Sequence, residues 1–166
     1  MPKSRGIEIE IIEADLNQRR DCDAVLERVD QYARDPMGNG KPLPNDVQAS
    51  LIEGLRAHST TLVWLARRSG FPIGLAICFV GFSTFAAKPI LNLHDLFVRE
   101  EMRGHGVGPM LLDAIANKTR AIGGCKVTLE VQRGNHRARK VYAASGFRGA
   151  IYEEEAGDVL FLTRPV

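Results

Sequence analysis

The glycine-rich segment from Arg103 to Gly108 constrains this chain more than any other feature of its sequence. It follows an apolar run, Ile90 to Val98, that we expect to form a strand, and it precedes a run with helical periodicity that we expect to open at Pro109. Glycines at such a junction let bare backbone approach an anion, and the first N–H groups of a helix lack intrahelical partners. The segment therefore predicts a site for the diphosphate of a phosphorylated cofactor.

The spacing of the glycines argues against two other nucleotide-binding motifs. A dinucleotide fingerprint needs a third glycine where this chain has Pro109, although Glu130 fits the acidic residue expected about twenty positions later. A phosphate loop of the nucleotide hydrolases ends in Gly-Lys followed by Ser or Thr, and these glycines run into a proline instead. The remaining pattern is arginine, two free positions, glycine, one free position and glycine, formed by Arg103, Gly106 and Gly108.

Together with Leu93, Leu96 and Val98 on the preceding strand, this pattern resembles the acetyl-CoA signature of the GNAT family of N-acetyltransferases. A second group of residues follows the order and spacing of that family's next helix, turn and strand, namely Asn135, Ala138, Tyr142, Gly146 and Phe147. The resemblance is specific over residues 90–147. In the N-terminal half, only the order of the elements agrees.

The expected fold is a single α/β domain over residues 1–166, with helices on both faces of a mixed, twisted, mostly antiparallel sheet. A chain of 166 residues with 45% hydrophobic content can bury a full core. The resemblance to the GNAT (acyl-CoA N-acyltransferase) fold implies a central parallel pair of strands, Ile90–Val98 and Lys126–Val131, that splay apart at their ends. We expect Phe147–Tyr152 and Asp158–Thr163 to close the sheet as an antiparallel pair.

Composition and charge argue against several classes of protein. The net charge of +2 gives no large field that would commit the chain to nucleic acid or to an anionic membrane. The longest apolar stretch, Ile73 to Phe82, is too short to span a bilayer, and the N-terminus lacks the apolar core of a signal peptide, so we expect a cytoplasmic protein. The three cysteines are far apart and lack the spacing of a zinc or dithiol site, so we expect neither a metal nor a disulfide.

The resemblance implies that acetyl-CoA is the cosubstrate and that its acetyl group moves, by direct attack, to a primary amine of a small molecule. The chain is loosely similar to the polyamine and thialysine acetyltransferases, which favours a polyamine or amino-acid-like acceptor. Two alternatives stay open: a CoA-binding regulatory or interaction module that has lost turnover, and a protein N-acetyltransferase. Family habit also implies a homodimer, and it places the acceptor site beside the Gly- and Pro-rich loop from Asp35 to Asn45.

The same resemblance assigns the contacts of the cofactor. Backbone groups of the strand would pair with the pantetheine arm, the amides of the glycine-rich segment would meet the diphosphate, and Asn135 would cap its helix beside them. Arg137 belongs to a basic cluster that could meet the ribose phosphate. The predicted cofactor-binding residues are therefore Leu96, Phe97, Val98, Arg103, Gly104, His105, Gly106, Val107, Gly108, Asn135 and Arg137.

The acceptor amine has to lose a proton before it can attack. An alkyl ammonium has a pKa of about 10.4, so deprotonation at pH 7 costs roughly 4–5 kcal/mol. His94 is the candidate base, because a neutral imidazole can take a proton near neutral pH, and the alternative is a hydrogen-bonded histidine that shapes the site. Asn92 can hold a water, and Asp95 can orient substrate or backbone. Strict alternation along the strand predicts that Asp95 points away from His94.

The leaving thiolate also needs a proton or a hydrogen bond. Tyr142 lies at the position of the family's general acid, on the helix that follows Asn135. A phenol with a pKa near 10 is close enough to a thiol for proton donation. Tyr142 and His94 are therefore the predicted catalytic residues, and Asn92 and Asp95 are the predicted substrate-binding residues.

Overall fold

The computed structural model describes residues 8–149. Its elements in chain order are β1 (Ile9–Glu13), α1 (Arg19–Arg34), α2 (Asn45–Ala57), β2 (Thr61–Arg68), β3 (Phe71–Ser83), β4 (Lys88–Val98), a single 3-10 turn (Glu100–Met102), α3 (Val107–Ala121), β5 (Lys126–Leu129) and α4 (His136–Ala144). In this part of the chain, no helix is both long enough and apolar enough to cross a membrane.

The described strands form one sheet in the order β1-β2-β3-β4-β5. Neighbouring strands are antiparallel except β4 and β5, which are parallel, as the sequence predicts. The parallel pairing runs only from Ile90 opposite Lys126 to Leu93 opposite Leu129. Because β4 continues to Val98, its last five residues extend past the end of β5 pairing, and the two strands part there.

Each face of the sheet is covered by helices, which confirms the predicted fold class. The buried residues of β3 alternate between the two faces: Leu75 and Ile77 pack with α1 and α2, whereas Ala76 and Cys78 pack with α3. The apolar stripe of α3 includes Leu111, Leu112 and Ile115, each almost fully buried. Burial of one such side chain contributes about 1.5–3 kcal/mol, so these two cores hold the helices in fixed positions against the sheet.

Several predicted boundaries differ from the structure, and β4 begins at Lys88, two residues before the predicted Ile90. The helix after the glycines begins at Val107, so Pro109 is its third residue, where the missing N–H is still one of the unpaired ones of the first turn. β5 ends at Leu129, not at Val131. The predicted closing strand Asp158–Thr163 and the second half of Phe147–Tyr152 lie outside the described residues, and residues 147–149 are not in a strand.

A β-bulge interrupts β4 beside the site. Cys78 pairs with Leu93 and Ile77 pairs with Asp95, which leaves His94 as the extra residue between them. A bulge shifts the alternation of side chains by one position. Asp95 therefore lies on the same face of the sheet as Asn92, towards α1, and the prediction of strict alternation through His94 is wrong.

Candidate active site

A cleft of about 1490 Å³ opens where β4 and β5 part, and it is bounded by the end of α1, the start of α3 and by α4. Most of the predicted site residues line it, namely Asn92, His94, Leu96, Phe97, Val98, Arg103, Gly104, Gly106, Val107, Gly108, Asn135, Arg137 and Tyr142. Two predicted residues, Asp95 and His105, do not line it. The sequence pattern thus converges on one cavity.

The segment Gly104–Gly108, which we call the cradle, borders the cleft through all of its residues except His105. Within the described residues, none of the five cradle amides donates to a protein acceptor. The Arg103 amide was also predicted to meet the diphosphate, but it donates to the Glu100 carbonyl at 3.1 Å. Gly104 and Gly106 adopt left-handed backbone, with φ of +78° and +81°, which favours glycine. Unpaired amides at the positive end of α3 form a site for an anion.

The side chain of Arg103 ties the cradle to the end of α1. Its Nε donates to the Val98 carbonyl at 3.0 Å, and its Nη2 donates to Oδ2 of Asp35 at 2.7 Å. Burial alone would raise the pKa of Asp35, but the Met37 amide and the Arg103 guanidinium outweigh it and hold that pKa below its ordinary value. The Asp35–Arg103 ion pair therefore fixes one wall of the cleft against another.

His105 and Asn135 flank the cradle in different ways. The exposed ring of His105 lies with Nδ1 3.0 Å from the Arg103 carbonyl, outside the cleft, so only its amide belongs to the cradle. Oδ1 of Asn135 accepts from the Ala138 amide at 3.1 Å, which confirms the predicted cap of α4. This cap holds the first turn of α4 against the cleft, where Arg137 lines the wall.

Tyr142 lines the cleft from α4, and its ring packs against Phe147 with centroids 5.8 Å apart. Burial raises the pKa of Tyr142 to about 12, and the nearby phenol of Tyr32 adds to the rise. Its hydroxyl makes no hydrogen bond within residues 8–149. The phenol is therefore protonated at neutral pH, with its O–H available to a ligand.

The bulge of β4 places three polar side chains near the floor of the cleft. Nδ2 of Asn92 donates to Oγ1 of Thr128 at 3.1 Å, across the last part of the parallel pair. The exposed ring of His94 meets Phe79 edge-on, with centroids 5.5 Å apart. Asp95 is half-buried behind this surface, and desolvation raises its pKa while the neighbouring His94 opposes the rise.

No residue of α1 or of the turn after it was predicted from the sequence to line the cleft. Tyr32, Asp35 and Met37 line the cleft from this side, and Thr128 lines it from β5. Tyr32 stands seven residues after Val25 on the buried stripe of α1, a spacing that indicates core rather than site. Only the family resemblance, which places the acceptor site beside the loop from Asp35 to Asn45, pointed to this region, and it identified no single residue.

Comparison with known proteins supplies independent findings. A model of the family described as "Acetyltransferase (GNAT) family" matches residues 26–147. An uncharacterized N-acetyltransferase of Bacillus subtilis, YhfO, is 31% identical over 119 residues, which are 68% of this chain and 76% of that protein.

Two solved structures share the fold at lower sequence identity. The aminoglycoside N-acetyltransferase AAC(6')-Iy in complex with CoA superimposes with a TM-score of 0.76 and 18% identity, over 99% of each chain. A ribosomal-protein-alanine N-acetyltransferase from Brucella melitensis biovar Abortus 2308 has a TM-score of 0.70 and 19% identity, over 93% of this chain and 100% of that one.

Proposed function

This chain belongs to the GNAT acetyltransferase family, and from that premise we propose that it moves the acetyl group of acetyl-CoA to a primary amine of a small molecule, polyamine or amino-acid-like. The cradle carries the proposal, because its five amides have no acceptor within residues 8–149 and four of its residues line one cleft with a β4 edge that is unpaired in the described sheet. In this proposal residues 1–166 form one catalytic domain.

The groups that line the cleft fit acetyl-CoA. The cradle would hold the diphosphate by N–H donation, and a hydrogen bond to a charged group contributes about 1.5–3 kcal/mol. The edge of β4 from Leu96 to Val98 would pair with the amide groups of the pantetheine arm, as an added strand does. Arg137, on the α4 wall of the cleft, would meet a phosphate of the nucleotide end. Bound acetyl-CoA supplies the acetyl group as a thioester.

The bulge residues would act on the acceptor amine. His94 lines the cleft and would take the ammonium proton, either directly or through a water held by Asn92. Asp95 lies on the same face behind them, where its negative charge favours a cationic acceptor and a protonated base. The free amine would then attack the thioester carbonyl to form the C–N bond, the C–S bond would break, and the thiolate would leave while the acylated nitrogen gives its extra proton to solvent.

Tyr142 would stabilise the departing thiolate as a hydrogen-bond donor. With a pKa of about 12, it differs from an ordinary thiol by roughly 3.5 pKa units. Complete proton transfer from the phenol to the thiolate would therefore be uphill by about 5 kcal/mol. Donation of a hydrogen bond avoids that cost, and solvent would complete the protonation.

The wall formed by α1 favours a small acceptor over a protein segment. The Asp35–Arg103 ion pair ties the turn after α1 to the cradle side of the cleft, and both side chains are largely buried. An acceptor must therefore enter a bounded space. AAC(6')-Iy, which shares the fold, has been solved in complex with the bisubstrate analogue CoA-S-monomethyl-acetylneamine.

The test is release of CoA from acetyl-CoA against a panel of spermidine, lysine, n-butylamine and amine-bearing peptides, followed with a thiol reagent. Calorimetry with CoA measures cofactor binding in the same preparations. Release with the small amines and not with the peptides supports the proposal. Tight CoA binding without release for any amine would favour the degenerate CoA-binding module, and release with peptides alone would favour a protein N-acetyltransferase.

A further inference from the structure

Tyr32 lines the cleft from the last turn of α1, although no motif in the sequence singles it out. Its ring packs against the ring of Phe97 with centroids 6.0 Å apart. Phe97 also carries the guanidinium of Arg103 at 6.0 Å from its ring centroid. The Asp35–Arg103 ion pair fixes the end of the same helix. These contacts hold the Tyr32 ring in place, so its hydroxyl has a defined position.

The hydroxyl of Tyr32 has no hydrogen-bond partner in the described part of the chain. The side chain is only half-buried and borders the cavity. A tyrosine with a packed ring and an unused hydroxyl commonly presents that hydroxyl to a ligand, because the ring supplies the packing and the oxygen supplies the polar contact.

Tyr32 lies over the face of β4 that carries Asp95, because its ring packs on Phe97, two residues further along the same face. Burial raises the pKa of Tyr32, and the charges of Asp95 and Asp35 raise it further. Tyr32 in turn raises the pKa of Tyr142. The hydroxyl therefore lies within electrostatic reach of the carboxylate behind the bulge and of the phenol proposed to face the leaving sulfur.

We infer that Tyr32 binds the acceptor, with its phenol oxygen accepting an N–H hydrogen bond from the incoming ammonium group. The inference rests on the proposed function and names a residue that the family resemblance did not supply. An alkyl ammonium has three donors and no acceptor, so it needs oxygen or nitrogen lone pairs around it. Asp95 does not line the cleft, and the phenol oxygen provides an acceptor on the cleft surface in the field of that carboxylate.

This contact can last through the reaction. When the ammonium gives one proton to the base, the neutral amine still has N–H groups, and one of them can stay on the Tyr32 oxygen. The nitrogen lone pair is then directed away from Tyr32. Tyr32 neither gains nor loses a proton, so it orients the nucleophile while His94 or water takes the proton.

Replacement of Tyr32 by phenylalanine tests the inference, because Tyr32→Phe removes one oxygen and keeps the ring on Phe97. With acetyl-CoA saturating and spermidine or n-butylamine as acceptor, we expect kcat/KM for the amine to fall about 10- to 150-fold, mostly through KM. The calorimetric Kd for CoA and the Tm should not change. Tyr142→Phe is the matched variant on the opposite wall, and it should lower kcat with little change in the KM of the amine.

Three results would overturn the inference: unchanged kinetics in Tyr32→Phe, a loss confined to kcat, or weaker CoA binding. A failure of the proposed function is recognised separately, since the wild type would then release no CoA with any amine. In that case, binding of n-butylamine to the CoA-loaded protein is measured by calorimetry. Weaker binding to Tyr32→Phe would still support the amine site, whereas equal binding or no binding to the wild type would refute it.

Discussion

Replacement of Gly106 by alanine separates the cost of folding from the cost of cofactor binding. Gly106 has a φ of +81°, and a Cβ added there would meet no protein atom within 4 Å. The cost to the fold is therefore conformational only, about 1–2 kcal/mol for an L-residue in left-handed backbone. In a domain of this size, 1 kcal/mol shifts Tm by roughly 2–4 °C.

Gly123 is a matched control for the same substitution. It has a φ of +71°, a Cβ there would also meet nothing within 4 Å, and it does not line the cleft. Both variants should lose a similar amount of stability. Only Gly106→Ala places a methyl group among the cradle amides, where loss of one hydrogen bond to the diphosphate costs about 1.5–3 kcal/mol, or about 10- to 150-fold in the Kd of CoA.

Thermal unfolding and calorimetry with CoA on the two variants decide the question. The expected result is an equal fall in Tm and a loss of CoA affinity in Gly106→Ala alone. CoA affinity that is unchanged from the wild type in both variants would show that the cradle does not hold the diphosphate. Equal loss in both would show that affinity follows global stability, and the argument from the unpaired amides would fail.

Three further predictions concern single side chains. Asp95→Asn should raise Tm at pH 7 by a few degrees, because burial raises the pKa of Asp95 and its ionised form destabilises the fold above that pKa. The gain should vanish below about pH 4, where Asp95 is protonated in both the folded and the unfolded state. A Tm lower than that of the wild type at pH 7 would contradict this prediction. Tyr142→Phe should lower kcat about 10- to 150-fold without changing the Kd of CoA, and an unchanged kcat in a single-turnover assay would remove the proposed thiolate contact. Arg137→Met should weaken binding of CoA more than binding of dephospho-CoA. Arg139 is the control, because its guanidinium donates to the Arg133 carbonyl and it does not line the cleft, so Arg139→Met should leave both affinities unchanged. An equal loss of affinity for the two ligands in Arg137→Met would place the Arg137 guanidinium elsewhere.

Local patterns in the sequence were enough to predict the cradle and the cap of α4. Gly104 and Gly106 need left-handed backbone that their residue type supplies, and Asn135 caps a helix only three residues away, so neither depends on distant contacts. The parallel pairing of β4 and β5 was implied by the family resemblance.

The floor and the α1 wall of the cleft depend on contacts far apart in sequence. His94 is a bulge because of how β4 pairs with β3, which alternation along β4 alone does not indicate. Asp35 and Arg103 are 68 residues apart, so neither segment contains a signal for the ion pair. Tyr32 continues a core stripe, and only its position above Phe97 makes it part of the cavity.

The early end of the β4–β5 pairing leaves a stretch of β4 without its neighbour in the described sheet. Exposed strand edges are templates for self-association, and proteins usually cover them. If the pantetheine arm covers this edge, the metabolite also protects the protein that uses it, since a ligand that binds only the native state stabilises that state by mass action. The lifetime of the enzyme in a cell would then follow the supply of its own acyl donor, with more aggregation and turnover when that supply falls.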